Sequence, residues 1–193
     1  MSMTSVRPLK DFVAEMTAIA DFGFDEAMLL EKSRPLMSKL LSSDEWLPST
    51  FAQADERDYR QYLLYCDPSE RFSLVSFVWG PGQETPIHDH TVWGLLGVLR
   101  GSEVSQRYIA GDGAMHKCGN EEVLEAGAID VVSPTIGDIH KVWNGRKWKT
   151  SVSLHLYGGN IGTIKRHAFG ADAKIKTFQS GYSLDVIPNV WSE

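Results

Sequence analysis

The stretch Gly82–Gly101, GQETPIHDHTVWGLLGVLRG, decides how this chain is read. In an extended segment successive side chains alternate between faces, so His88 and His90 share one side while Asp89 points to the other. Two imidazoles in that relation, joined by a third from a neighbouring strand, make a metal site with open positions. His140, which opens the apolar-alternating segment His140–Trp143, is the candidate third ligand. Asp138, two residues before it, is the rival, although the turn expected at Gly137 puts it outside the strand. A histidine pair of this spacing also arises by chance, and His116, in a turn-rich segment, reads as a solvated residue.

Working outward from this stretch, short runs rich in Val, Ile, Phe, Tyr and Trp alternate with turn clusters such as Gly80-Pro81-Gly82, Gly111-Asp112-Gly113 and Gly158-Gly159-Asn160. The pattern predicts strands over 59–66, 72–79, 92–100, 103–109, 121–124, 128–132, 140–143 and 149–157, hence a mainly β antiparallel barrel or sandwich. Before them, Leu9, Phe12, Val13, Met16 and Ile19, then Met28, Leu29, Leu36, Leu40 and Leu41 recur at helical spacing around a break at Gly23. Two helices packed on the outside of the barrel are expected. The domain reading is one unit over 1–193: a mostly helical extension over 1–58, the barrel over 59–169, and a segment over 170–193 that covers one mouth or edge.

At 193 residues and 42% hydrophobic, the chain is long enough to bury a sizeable core. Its 19 basic and 25 acidic residues give a net charge of -6, with no basic stripe interleaved with aromatics, so no nucleic-acid partner is expected. No run is long and uncharged enough for a bilayer and none resembles a secretory leader, so a cytoplasmic protein without a membrane partner is expected. In that setting Cys66 and Cys118 read as free thiols. The expected state is a monomer or weak homo-oligomer.

Ser153, His155 and Tyr157 stand at i, i+2 and i+4 of a predicted strand and so project to one side, with Leu154 and Leu156 opposite. Three polar groups on an inward face need partners, and a Ser to His to Tyr hydrogen-bond relay supplies them. The competing reading is an outward polar face on an edge strand.

Gly82, His88, His90, Gly94 and Gly101 together resemble the first cupin motif, with Gly94 where that motif usually has a metal-binding Glu. Gly127, Pro134, Gly137, His140 and Asn144 resemble the second, with one extra residue before the Pro and one between Pro and Gly. A cupin lacking that carboxylate and carrying an SxHxY strand is similar to the cysteine dioxygenase family, over roughly 59–166. The resemblance implies a cupin barrel (jelly roll) and a non-haem Fe(2+) centre held by His88, His90 and His140. It also implies transfer of both atoms of O2 to the sulfur of a small thiol. Three neutral imidazoles leave iron(II) its full charge and three positions, which favours an anionic ligand, and metal binding deprotonates a thiol. In the family Tyr157 would lie near the iron with His155 and Ser153 behind it.

Substrate choice rests on few residues. The mammalian pattern has an Arg on the first strand; this chain places Gln61 there, or Arg60 if the alignment slips by one, and strand neighbours face opposite sides. Gln61 together with Arg166 resembles the bacterial Gln-type subgroup, which implies 3-mercaptopropionate as the substrate and Arg166 as its carboxylate ligand. L-cysteine is the alternative, and a non-catalytic metal- or ligand-binding cupin a more distant one. Gly94 also stands where mammalian members carry the Cys that crosslinks to the Tyr, so no such thioether forms at that position. Trp79, Trp93 and Trp143 read as packing residues.

Overall fold

The computed structural model describes residues 5–191. Helix α1 (Arg7–Asp21) buries Leu9, Phe12 and Met16, one stripe at helical spacing, and has proline in its first turn, where a missing N–H costs nothing. Helix α2 (Glu26–Leu41) starts at Asp25, whose side chain accepts from the Met28 amide at 2.9 Å, satisfying one of the first-turn donors. Gly23, at φ +65°, makes the turn between them, a backbone region glycine enters without strain.

Among the described residues eleven strands follow: β1 (Arg60–Cys66), β2 (Ser73–Trp79), β3 (Ile87–His88), β4 (Gly94–Arg100), β5 (Ser102–Gly111), β6 (Ala114–Glu125), β7 (Ile129–Val132), β8 (His140–Asn144), β9 (Ser151–Tyr157), β10 (Arg166–Phe169) and β11 (Ile175–Phe178). They form a five-stranded sheet in the order β1-β2-β9-β4-β7 and a six-stranded sheet in the order β11-β10-β3-β8-β5-β6. Every named pairing is antiparallel. The fold is mainly β, a cupin-type double sheet with two N-terminal helices.

Both faces of the five-stranded sheet are covered, which is why β2 and β9 are buried along their whole length. Leu74 and Val78 of β2 and Leu154 and Leu156 of β9 join Leu9, Met16, Met37 and Leu40 of the helices in one cluster. The alternate residues Val75, Phe77, Trp79 and Tyr157 join Val142 of the other sheet in a second. The period of two thus sends apolar side chains to the helices and the chemically active ones inward. Truncating a fully buried Leu64 or Leu154 to Ala would cost about 2–5 kcal/mol. Helix α2 comes so close to β4 that a β-carbon on Gly97 would lie 2.5 Å from Leu41 Cδ1.

The structure departs from the sequence reading in three places. The strand expected over 121–124 is the inner end of the twelve-residue β6, paired with β5 in a long hairpin bulged between Ser105 and Arg107. His116 therefore lies in a strand rather than a turn, exposed, its Nε2 2.9 Å from the Gly111 carbonyl. The strand expected from Val92 begins at Gly94, and a separate two-residue β3 carries His88. Beyond residue 169 the chain is not merely a cover: β11 is the edge strand of the six-stranded sheet, paired with β10. No helix is long and apolar enough to cross a membrane among the described residues.

Candidate active site

His88 and His140 face each other as the one register pair joining β3 to β8. His90 lies just past the end of β3, so the two histidines do not share a regular strand. A turn replaces it: Thr91 takes φ +60°, and the Asp138 carboxylate accepts the His90 amide at 3.0 Å and the Thr91 amide at 2.8 Å. The three rings close on one point, with centroids 4.8–4.9 Å apart.

Their outer nitrogens are all engaged. His88 Nδ1 is 3.0 Å from the Pro86 carbonyl and donates to it. His90 Nδ1 donates to Asp138 Oδ1 at 2.9 Å. His140 Nδ1 is 3.2 Å from Ser105 Oγ, whose own proton goes to Asp130. Each ring is thereby fixed in the tautomer that leaves Nε2 as a bare lone pair, and imidazole ligands are commonly oriented in this way. His140 Nε2 is buried with no partner at all. One candidate ligand atom from each residue lies within 4.8 Å of the others. Burial keeps the His88 and His140 rings neutral, pushing His88 down to about 3 and His140 well below its ordinary value. An orphaned lone pair and two more ring nitrogens converging on it fit a divalent metal ion.

Asp138 is not a fourth ligand but the support of His90. Burial alone would raise its carboxyl; the His90 ring N–H and the two amides outweigh that and hold it below the usual carboxylate range. Asp89 faces the other way, as expected, and accepts from the His167 amide and from His167 Nδ1, both at 2.7 Å.

The histidines floor a cavity of about 230 Å³ that Tyr157, His155, Gln61 and Arg166 also line. The trio on β9 forms a continuous chain: Ser153 Oγ is 2.9 Å from His155 Nε2, and His155 Nδ1 is 2.8 Å from the Tyr157 hydroxyl. Phe77 stacks on the His155 ring at 4.0 Å and Tyr157 on the His90 ring at 5.5 Å, so the relay is held from both sides. Burial lowers the basicity of His155 and raises the Tyr157 pKa, keeping both neutral. Gly94 leaves the room Tyr157 occupies, since a β-carbon there would lie 2.8 Å from its Cδ1.

Arg166, 3% exposed at the start of β10, brings a cation to the same space. Its Nη2 donates to Ser180 Oγ at 2.6 Å and its guanidinium lies over the Phe178 ring, while Nε is buried without a partner. Gln61 lines the cavity, whereas Arg60 turns outward to pair with Asp55. The Gln61 main chain is clasped by the C-terminal segment: its amide donates to Ser183 Oγ at 2.9 Å and its carbonyl accepts the Ser183 amide at 2.7 Å.

Ser105 and Glu103 were not singled out in the sequence, and Trp79, read there as a packing residue, has a further role. Trp79 walls the cavity and its indole donates to Ser153 Oγ at 3.3 Å, a use beyond packing. Ser105 and Glu103 back His140 and Ser153 from β5. Their signal was available: polar residues at i and i+2 of a strand otherwise buried on that side.

A family model described as cysteine dioxygenase type I matches residues 1–169 of this chain. The chain belongs to the cysteine dioxygenase family. Human cysteine dioxygenase type 1 is 28% identical over 179 residues, covering 89% of this chain and 86% of its own. The Rattus norvegicus protein of the same name is 28% identical over 151 residues, covering 77% and 72%. A Klebsiella pneumoniae protein with a double-stranded β-helix domain superposes with a TM-score of 0.46 at 18% identity, over 58% of this chain and 82% of its own. As a member of the cysteine dioxygenase family the protein is a thiol dioxygenase, and its three-histidine cluster suits the non-haem metal, iron in this family, on which such enzymes depend.

Proposed function

We propose that this thiol dioxygenase acts on 3-mercaptopropionate, converting it to 3-sulfinopropionate with both atoms of O2. The observation that carries the reading is the charge of the cavity wall. Arg166 and Lys176 line it, and none of the residues lining it is Asp or Glu. A buried guanidinium without a carboxylate partner favours an anion. A substrate ammonium group would meet two cations and no counter-charge. Gln61 adds a neutral amide where the mammalian pattern has its Arg.

In this reading His88, His90 and His140 hold iron(II) through Nε2, and the bound metal supplies the redox centre at which dioxygen and the substrate sulfur react. Arg166 binds the carboxylate, offering the planar, multiply donating head that Lys lacks. Gln61 packs beside it. The Tyr157 hydroxyl orients substrate and oxygen, positioned by His155 and Ser153. Phe77 and Trp79 keep bulk water from the sulfur.

The test is oxygen uptake by iron-loaded protein, with sulfinate identified by mass spectrometry, for 3-mercaptopropionate and L-cysteine in parallel. A kcat/KM favouring 3-mercaptopropionate supports the reading. A preference for L-cysteine, the substrate named in the human and rat relatives, would replace it.

A further inference from the structure

Behind the relay lies a carboxyl group for which the reaction has so far found no use. Glu103 on β5 is 2% exposed, and its Oε1 is buried without a hydrogen-bond partner. The carboxyl lies beside the Ser153 hydroxyl and the Trp79 indole, at the end of the relay remote from Tyr157. A buried carboxyl left half-satisfied is costly to maintain.

We propose that Glu103 is a positioning residue whose proton sets the direction of the whole Ser153–His155–Tyr157 chain, and thereby decides whether the Tyr157 hydroxyl donates or accepts in the cavity. The assignment deepens the function proposed above and rests on Tyr157 facing the substrate there.

The number of donors available fixes the direction of every link. A neutral imidazole has one N–H and one lone pair, and a hydroxyl has one proton to give. With Glu103 protonated, its O–H donates to Ser153, Ser153 donates to His155 Nε2, and His155 Nδ1–H donates to the Tyr157 oxygen. The Tyr157 proton is then free to point into the cavity. With Glu103 ionised, every link reverses: Ser153 donates to the carboxylate, His155 Nε2–H donates to Ser153, and Tyr157 donates to His155 Nδ1. The Tyr157 oxygen then presents only lone pairs. The two states differ by one proton. Passing from the first to the second, each group hands one proton to its neighbour on the cavity side, and one leaves from Tyr157. The reverse passage takes up one proton at Tyr157 and stores it on Glu103, a destination for the proton that a substrate thiol releases on binding a metal.

The surroundings allow both states. Around Glu103 are Ser153 on β9, Trp79 on β2, Asn144 and Leu124 in register on β8 and β6, and Asp130 on β7, which is already paired with Arg107 at 2.6 Å. No lysine or arginine neutralises the carboxyl directly among the described residues. Burial first, and the Asp130 charge after it, push the Glu103 carboxyl up to about 7 against the opposing hydrogen bonds of Ser153 and Trp79.

The tautomer of His155 reports the switch directly. Full-length protein labelled with ¹⁵N-histidine and loaded with zinc as a diamagnetic probe is titrated by NMR through the window centred on about 7. The expected result is His155 protonated on Nδ1 at the acid end and on Nε2 at the alkaline end, with Glu103→Gln locked in one tautomer throughout. The kcat profile of the iron-loaded variant loses the inflection in the same window. A wild-type tautomer that does not change, or one that changes identically in Glu103→Gln, overturns the assignment. The wild-type titration stands alone should the variant fail to fold. If no thiol drives oxygen uptake yet the tautomer still switches, the substrate reading has failed and the Glu103 assignment has not.

Discussion

Gly94 and Tyr157 face each other in the β4–β9 ladder so closely that a β-carbon on Gly94 would stand 2.8 Å from Cδ1 and 3.1 Å from Cε1 of the tyrosine ring. Neither side can give way freely, because the same β-carbon would stand 3.1 Å from Val132 Cγ2 and His90 stacks on Tyr157. Gly94→Ala is therefore expected to push the hydroxyl off His155 Nδ1 and lower kcat by about a hundredfold, the scale of a misplacement near 1 Å. Iron content should be unchanged. Oxygen-uptake kinetics beside metal analysis check this, and wild-type kcat in the variant would show that the close approach is immaterial.

Asp138 fixes both the ring and the main chain of His90. Asp138→Ala is expected to weaken metal affinity roughly 10- to 100-fold, as removal of a ligand's hydrogen-bond partner commonly does. Competition titration with a chelator measures it. Activity should return in excess iron, because the Nε2 lone pairs remain.

Removing the guanidinium separates recognition from chemistry. Arg166→Ala is expected to raise KM for 3-mercaptopropionate roughly 10- to 150-fold, the range for a lost charge-assisted hydrogen bond. KM for 2-mercaptoethanol, which has neither a carboxylate nor an ammonium group, should move little. Equal increases for both thiols would reduce Arg166 to a structural part of β10.

Glu103 also leaves a mark on stability. Its folded carboxyl holds a proton up to about 7, whereas an ordinary glutamate releases it near 4.5. Between those values the unfolded chain binds fewer protons than the folded one, so stability falls as pH rises. The loss relative to Glu103→Gln amounts to about 3 kcal/mol once pH exceeds the folded value. Urea unfolding of both proteins at acid and alkaline ends of that window gives the difference. A gap that does not widen with pH would mean the carboxyl ionises as freely as in water.

The parts of the fold legible in the sequence were those where burial writes a pattern. Strand β2 is covered on both faces and reads as a largely apolar run, whereas β9, equally buried, reads as an alternation in which Val152, Leu154 and Leu156 share one face. Ser153, His155 and Tyr157 stood out because strand alternation sends them to one face, and the relay joins them as that spacing implies. The outer half of β6 was missed because it is solvent-exposed and polar, so nothing but hairpin pairing with β5 makes it a strand. Short β10 and β11, the outer pair of their sheet, were hidden for a similar reason, having no continuous apolar face. The position of His90 was legible but its cause was not: a turn held by Asp138, forty-eight residues away in the chain, does what strand alternation was expected to do. The facing of Gln61 over Arg60 required the register of β1 against β2, which one sequence does not contain.

The clasp between Ser183 and the Gln61 main chain ties the residues nearest the substrate carboxylate to the last stretch of the chain. His88, His140 and the relay, by contrast, sit on interior strands whose neighbours are fixed by the ladders on either side, and His90 is held beside them by Asp138. Descendants of this fold can therefore exchange one thiol for another by drift at the periphery, in β1, β10 and the tail, without disturbing the machinery that activates oxygen. Selection for a new diet would act on the chain's edges, while its centre stays under a separate and stricter constraint.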